Sequence, residues 1–107
     1  MSKAGLSPGD IILIEHRPPD DPSAAKARPA IVVSATDFNR NNIDIIVAPI
    51  SSVIRYGNPT QVMIDHNVED FHKTGLKTDS VVKCAAVFAC PKRLIRTRLG
   101  RASQATL

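Results

Sequence analysis

The chemistry open to this chain starts at Arg28. It precedes Pro29, and a residue before proline is pushed to an extended backbone. The apolar, β-branched run 30–33 follows and reads as a core strand. Pro29 lacks an N–H, so it suits the first position of that strand rather than its middle. A guanidinium at the mouth of a rigid strand is well placed for a phosphate, because its planar fork matches two oxygens and it stays charged. Ser51 and Ser52 stand at the end of a second apolar run, 43–50. Sequential strands often lie side by side. If these two do, a serine hydroxyl comes beside the guanidinium and can donate to a further oxygen. Each residue also has a plain structural reading, as a solvated loop arginine and as turn or cap serines.

That pair suits a reaction that asks little of a protein. In RNA the 2′-hydroxyl is itself the nucleophile toward the adjacent phosphodiester. The protein must hold the strand, stabilise the extra charge on phosphorus and manage two protons. His16, in the polar stretch after the first apolar run, is a candidate general base, since imidazole titrates near neutral pH; its plain reading is an exposed loop histidine. His66 and His72 read as surface residues. There is no glycine-rich phosphate loop, no nucleophile elbow and no H-E-x-x-H. The histidines and acids follow no metal-ligand spacing, so no metal and no cofactor are expected. Cys84 and Cys90 are too few for a disulfide framework or a zinc site and read as small buried apolar residues.

A chain of 107 residues implies one domain, 1–107. Aromatics make up 4% against a hydrophobic fraction of 43%, so the core must be Ile, Val, Leu and Ala. The net charge of +4 and pI near 9.4 fit an anionic partner. Lys92, Arg93, Arg96, Arg98 and Arg101 fall in one acid-free stretch. It is either a solvated strand face, a track for a nucleic-acid backbone or a seat for an acidic partner tail. Tyr56 is the one Tyr or Trp, which leaves few platforms for stacking bases. No signal-peptide core and no membrane-length apolar run is present, so a cytoplasmic protein with no membrane association is expected.

The elements that position these residues follow from turns and apolar runs. Residues 7–10 (Ser-Pro-Gly-Asp) are a turn and 11–14 a strand. Residues 16–26 form a long exposed loop. After the strand 30–34, Thr36 is expected to cap a single helical turn, with a turn at 40–42. The strand 43–50 carries Pro49 near its end, which suggests an edge or a bulge. The loop 52–60 bears Arg55 and Tyr56. Residues 61–65 alternate like a half-buried strand, and 67–71 form a helical turn capped by Asn67. Residues 80–89 are one long β-compatible stretch with Lys83 in the middle. Short strands separated by Gly/Pro turns, without a long helix, imply a mainly β fold built as a small barrel or strongly bent sheet.

The order of motifs resembles the MazF/PemK/Kid toxins: G-D-I-I-L-I, then A-R-P-A-I-V-V-S, I-I-V-A-P-I-S-S, G-L-K-T-D-S-V-V-K-C and L-I-R-T-R-L-G-R-A-S. The resemblance runs from Gly9 to about Ser103. It implies an SH3-like barrel of the CcdB/MazF type with one or two short helical turns, a homodimer, and a metal-independent endoribonuclease neutralised by a cognate antitoxin. It makes single-stranded RNA the substrate. It implies that Arg28 acts on the phosphate and as a proton donor, and that Ser51 hydrogen-bonds the scissile phosphate. Lys83, Ser52, Arg55 and His16 are then the expected substrate contacts. Two positions depart from the pattern. Many members have an acidic residue where Ala85 follows Cys84, and the glutamate ahead of the R-P motif is absent unless Asp20 or Asp21 replaces it. The departures admit two alternatives: a non-catalytic member that binds RNA or antitoxin, and a CcdB-like toxin that binds a topoisomerase.

Overall fold

The computed structural model describes residues 3, 5–16, 20–68 and 70–103. Arg17, Pro18 and Pro19 of the first loop, Glu69 of the expected turn and the terminal positions 104–107 lie outside the described residues. Seven strands form one antiparallel sheet: β1 (Asp10–His16), β2 (Lys26–Val32), β3 (Asp44–Ser51), β4 (Gln61–Ile64), β5 (Ser80–Lys83), β6 (Phe88–Pro91) and β7 (Ile95–Arg101). Their order is β4-β5-β3-β2-β1-β7, with β6 also on β3. The mainly β expectation is met. The sheet does not close, and β4 and β7 are the ends of the path.

The runs 11–14, 30–32 and 45–48 are apolar without interruption because the middle of the sheet is covered on both faces. Side chains alternate along a strand. Ile12, Ile14, Ala30, Val32, Ile45 and Val47 meet Leu6, Cys90 and Ile95 in one cluster. Their neighbours Ile11, Ile31, Ala48 and Ile50 meet Ile64, Val82 and Ala102 in a second, over which Phe71, Leu76 and Leu99 pack. Burying one such side chain stabilises the fold by about 1.5–3 kcal/mol. The second cluster is roofed by the excursion 65–79 between β4 and β5. That roof sits close on β7: a Cβ on Gly75 would lie 2.3 Å from the Leu99 carbonyl oxygen, and one on Gly100 2.1 Å from that of Lys73.

Several local expectations are corrected. Pro29 lies inside β2, opposite Leu13 of β1, rather than at its start. It is tolerated because β3 pairs only with Ala30, Ile31 and Val32, leaving that side of β2 unpaired from Lys26 to Pro29. His16 ends β1 rather than opening the loop. Thr36 is the first residue of the single α-helix among the described residues, α1 (Thr36–Asn41), and not its cap; its hydroxyl donates to Ser7 Oγ at 2.8 Å. The residues expected as a turn at 40–42 include the end of that helix. The second helical turn is a 3-10 turn at Phe71–Thr74, entered from Asp70 at φ 60°, so Asp70 rather than Asn67 holds its cap position.

The stretch 80–89 is two strands, not one. β5 pairs with Ile50 and Ser51, and β6 with Asp44, Ile45, Ile46 and Val47. Between them residues 83–87 face only Ala48 and Pro49, and the extra length is taken up by a 3-10 turn, Cys84–Ala86. Pro49 offers no donor at that point, so the bulge it signalled in the sequence is where the ladder breaks. Cys90 is buried as expected, while Cys84, in the turn, is exposed.

Candidate active site

Register and alternation bring the candidate residues together. The β2–β3 ladder ends at the Ala30–Pro49 pair, and two residues further in the same register Arg28 stands opposite Ser51. On the other side of β2, Arg28 pairs with Ile14. One residue beyond the Ile50–Val82 pair, Lys83 stands opposite Pro49. By alternation, His16, Arg28, Ser51 and Lys83 therefore fall on one face of the sheet, past the end of the first core cluster. The side-by-side placement of the two runs that the sequence required is present.

These residues line a cleft of about 970 Å³. His16, Arg28, Ser51, Ser52 and Lys83 all border it. Arg55 does not; it is exposed in the loop 52–60. The apolar part of the wall comes from Leu13, Ile14, Ile50, Phe88 and Leu99. Sequence reasoning missed the far wall, Gly75, Leu76, Lys77 and Thr78 of the excursion 65–79. Its signal was the G-L-K-T segment itself, whose glycine is required by the approach to Leu99.

No Asp or Glu is among the described residues that line the cleft. Arg28, Lys77 and Lys83 make no ion pair with any described residue. Three cations over an apolar floor form a site for an anion with several oxygens, such as a phosphodiester. Ser51 Oγ accepts a hydrogen bond from the Val53 N–H at 3.1 Å, so its own proton is available for donation. Ala85 lies in the exposed turn beyond Lys83, and Asp20 and Asp21 are in the first loop, outside the cleft. The excursion is tied at its base by Asp79, which accepts from the His66 backbone N–H at 3.0 Å and faces the His66 ring at 3.2 Å. The ring hydrogen bond and then the backbone one hold the Asp79 carboxyl below the usual carboxylate range.

The arginines of the basic stretch 92–101 are largely committed elsewhere. Arg101 and Arg98 reach the buried Asp10 carboxylate at 2.8 and 3.7 Å, and Arg96 reaches Glu15 at 3.3 Å. Lys92 and Arg93 instead border a second, smaller cleft with Arg40 and Asp44. No group of three or more His, Cys, Asp or Glu that could hold a metal occurs among the described residues. No helix among them is long and apolar enough to cross a membrane.

The fold is that of solved bacterial toxins. A Mycobacterium tuberculosis toxin, MazF-mt6, superposes with a TM-score of 0.71 at 24% identity, over 91% of this chain and 83% of that one. A second Mtb toxin superposes with a TM-score of 0.67 at 23% identity, over 90% and 86%. Residues 7–107 match the family described as the PemK-like, MazF-like toxin of type II toxin-antitoxin systems, and the chain belongs to that family. No curated protein sequence matches it.

Proposed function

We propose that this protein is the toxin of a type II toxin–antitoxin pair and acts as a metal-independent endoribonuclease on single-stranded RNA. The observation that carries this reading is the cleft in which Arg28, Lys77 and Lys83 surround Ser51 with no carboxylate among the described lining residues. The 2′-oxygen attacks phosphorus, the P–O5′ bond breaks, and a 2′,3′-cyclic phosphate remains. Arg28 places two N–H donors on the non-bridging oxygens and stabilises the charge that grows there. Ser51 donates to the same phosphate and holds it in line. His16 takes the 2′-hydroxyl proton; it is the described lining residue of a type that titrates between pH 5 and 8. Water in the open cleft protonates the departing 5′-oxygen, because a guanidinium keeps its proton throughout. Lys83, Lys77 and Ser52 hold the flanking phosphates. Arg55 meets the strand only where it leaves the cleft.

Ala85 favours a second reading. With a methyl group where many relatives have an acid, the cleft binds RNA or antitoxin without cutting. Incubating the antitoxin-free protein with a long mixed-sequence RNA in EDTA separates the two, with Arg28→Ala alongside. Discrete fragments ending in 2′,3′-cyclic phosphate, absent with the variant, are the expected result. Intact RNA bound by a folded sample would leave the binding reading in its place.

A further inference from the structure

The second cleft, of about 500 Å³, opens at the other end of β3 from the first. Asp44 starts that strand and borders the second cleft, while Ser51 ends it and borders the first. The eight residues of β3 put roughly 23 Å between them. One wall is the end of α1 and the residues after it, Arg40 to Ile43, and the other is Pro91, Lys92 and Arg93. Both walls are tied down. The Asn41 and Asn42 side-chain amides donate to the Asp37 and Phe38 carbonyls, each at 2.9 Å. The Lys92 N–H donates to the Ile43 carbonyl at 2.9 Å, and Lys3 Nζ donates to the Lys92 carbonyl at 2.7 Å.

This cleft holds charges of both signs kept apart. Lys92, Arg93 and the half-buried Asp44 make no ion pair with any described residue. Arg40 pairs with Asp37 at 3.6 Å, an exposed contact worth little. Ile43, directly before Asp44, is 84% exposed. Cations, a separate carboxylate and an exposed apolar side chain suit one ligand with three parts: a phosphate, N–H donors and a flat apolar face. A nucleotide has all three. Among the four RNA bases only guanine carries two adjacent N–H donors, N1–H and N2–H, which match the two oxygens of one carboxylate. The others set an acceptor beside each donor. An acidic peptide would satisfy the cations but set its carboxylates against Asp44. We propose that the second cleft binds a guanine nucleotide, with Asp44 accepting from N1–H and N2–H, Ile43 against the base, and Lys92, Arg93 and Arg40 on the phosphate. Its volume is that of a small-molecule site. The same chemistry serves a free nucleotide and an unpaired guanine within an RNA strand. In the second case the cleft selects RNA at a distance from the scissile bond, which rests on the ribonuclease reading; the guanine site itself does not.

NMR titration of the 15N-labelled protein with 5′-GMP, AMP, CMP and UMP tests this. GMP is expected to shift the amides of 40–44 and 92–93 and to bind about tenfold more tightly than the other three. Asp44→Asn, with the spectrum of a folded protein, should lose the preference for guanine. Lys92→Ala and Arg93→Ala should weaken all four nucleotides alike. IMP, which lacks the 2-amino group, checks the same contact without a variant and should bind about as weakly as AMP. No response at these amides, equal binding of all four bases, IMP as tight as GMP, or a guanine preference that survives in folded Asp44→Asn overturns the proposal. So does a response to a glutamate-rich peptide in place of the nucleotides. An uncleavable 2′-O-methyl pentauridylate with a central guanosine distinguishes the sources. Tighter binding than GMP through the same amides assigns the site to RNA, and equal or weaker binding assigns it to the free nucleotide. Selective GMP binding by a protein that leaves RNA intact overturns the ribonuclease reading and leaves the guanine site supported.

Discussion

Ser51 uses a lone pair on the amide of Val53 and keeps its proton, so its hydroxyl is aimed before any substrate arrives. Arg28 has no such tether among the described residues; its direction is set by the strand. Arg28→Ala is expected to lower the RNA cleavage rate by about 10²–10³-fold, the usual cost of one donor to a developing oxyanion. Arg28→Lys should recover only part of that, because an ammonium cannot bridge two oxygens. His16→Gln should lower kcat, read from the RNA cleavage rate at saturating substrate. The two cysteines separate by burial. Desolvation pushes the Cys90 thiol above its ordinary range, with Asp44 adding to the effect. A thiol reagent at neutral pH should therefore modify Cys84 quickly and Cys90 only on unfolding. Asp79 carries the pH sign of its pair. Its carboxyl is depressed in the folded state, so its contribution is complete above the ordinary carboxylate pKa. That contribution disappears as pH falls through the lowered value. Proton titration by NMR should find Asp79 depressed, and His66→Ala should return it toward normal. At this scale the sequence was informative where a residue type is unusual for its place, as with Arg28 before Pro29. It was silent on Lys77, whose role depends on a wall that forms through a distant glycine contact.

The excursion between β4 and β5 holds one side of the cleft, and two glycines let it come close to β7. Gly75 has φ +75° and no room for a Cβ, and Gly100 has no room either. Gly75→Ala and Gly100→Ala should each destabilise the fold by about 2 kcal/mol or more, read from denaturant midpoints. A milder change that leaves the core intact but lifts the excursion should weaken RNA binding before it unfolds the protein. The elements themselves were mostly legible, because apolar runs and turn residues mark strands directly. The errors share a cause. Thr36 was assigned a cap by type, but its hydroxyl bonds to Ser7, 29 residues away in sequence. Residues 80–89 all suit a strand, and only the partner strand β3, with Pro49, decides that the run must break.

The molecule divides its charge between two ends of the same strands. At the start of β1, Asp10 is 2% exposed and holds Arg98 and Arg101, while its other oxygen accepts the Ser7 N–H at 2.9 Å. Asp10→Ala should cost about 2 kcal/mol of stability through lost charge-assisted hydrogen bonds, and it would free two cations. At the far end of β1 and β2 no acid offsets His16, Arg28, Lys77 or Lys83 among the described residues lining the cleft. RNA affinity should therefore fall steeply with added salt, and less steeply for Lys83→Ala. Net charge in the sequence fits an anionic partner without identifying one; which cations stand outside ion pairs with described residues is decided by the fold. The two prolines at the cleft carry a last consequence. An antiparallel ladder hydrogen-bonds at every second pair. Beyond Ile31–Ala48 the ladder has one more pair, Ala30–Pro49, and the next in register would be Pro29–Ile50. Whichever of the two falls on a bonding position, one donor is missing. β2 and β3 thus resemble a zip with teeth left out at one end. The end of that ladder, just short of Arg28 and Ser51, is written into the covalent chain, since no substrate or partner is needed to remove the donor.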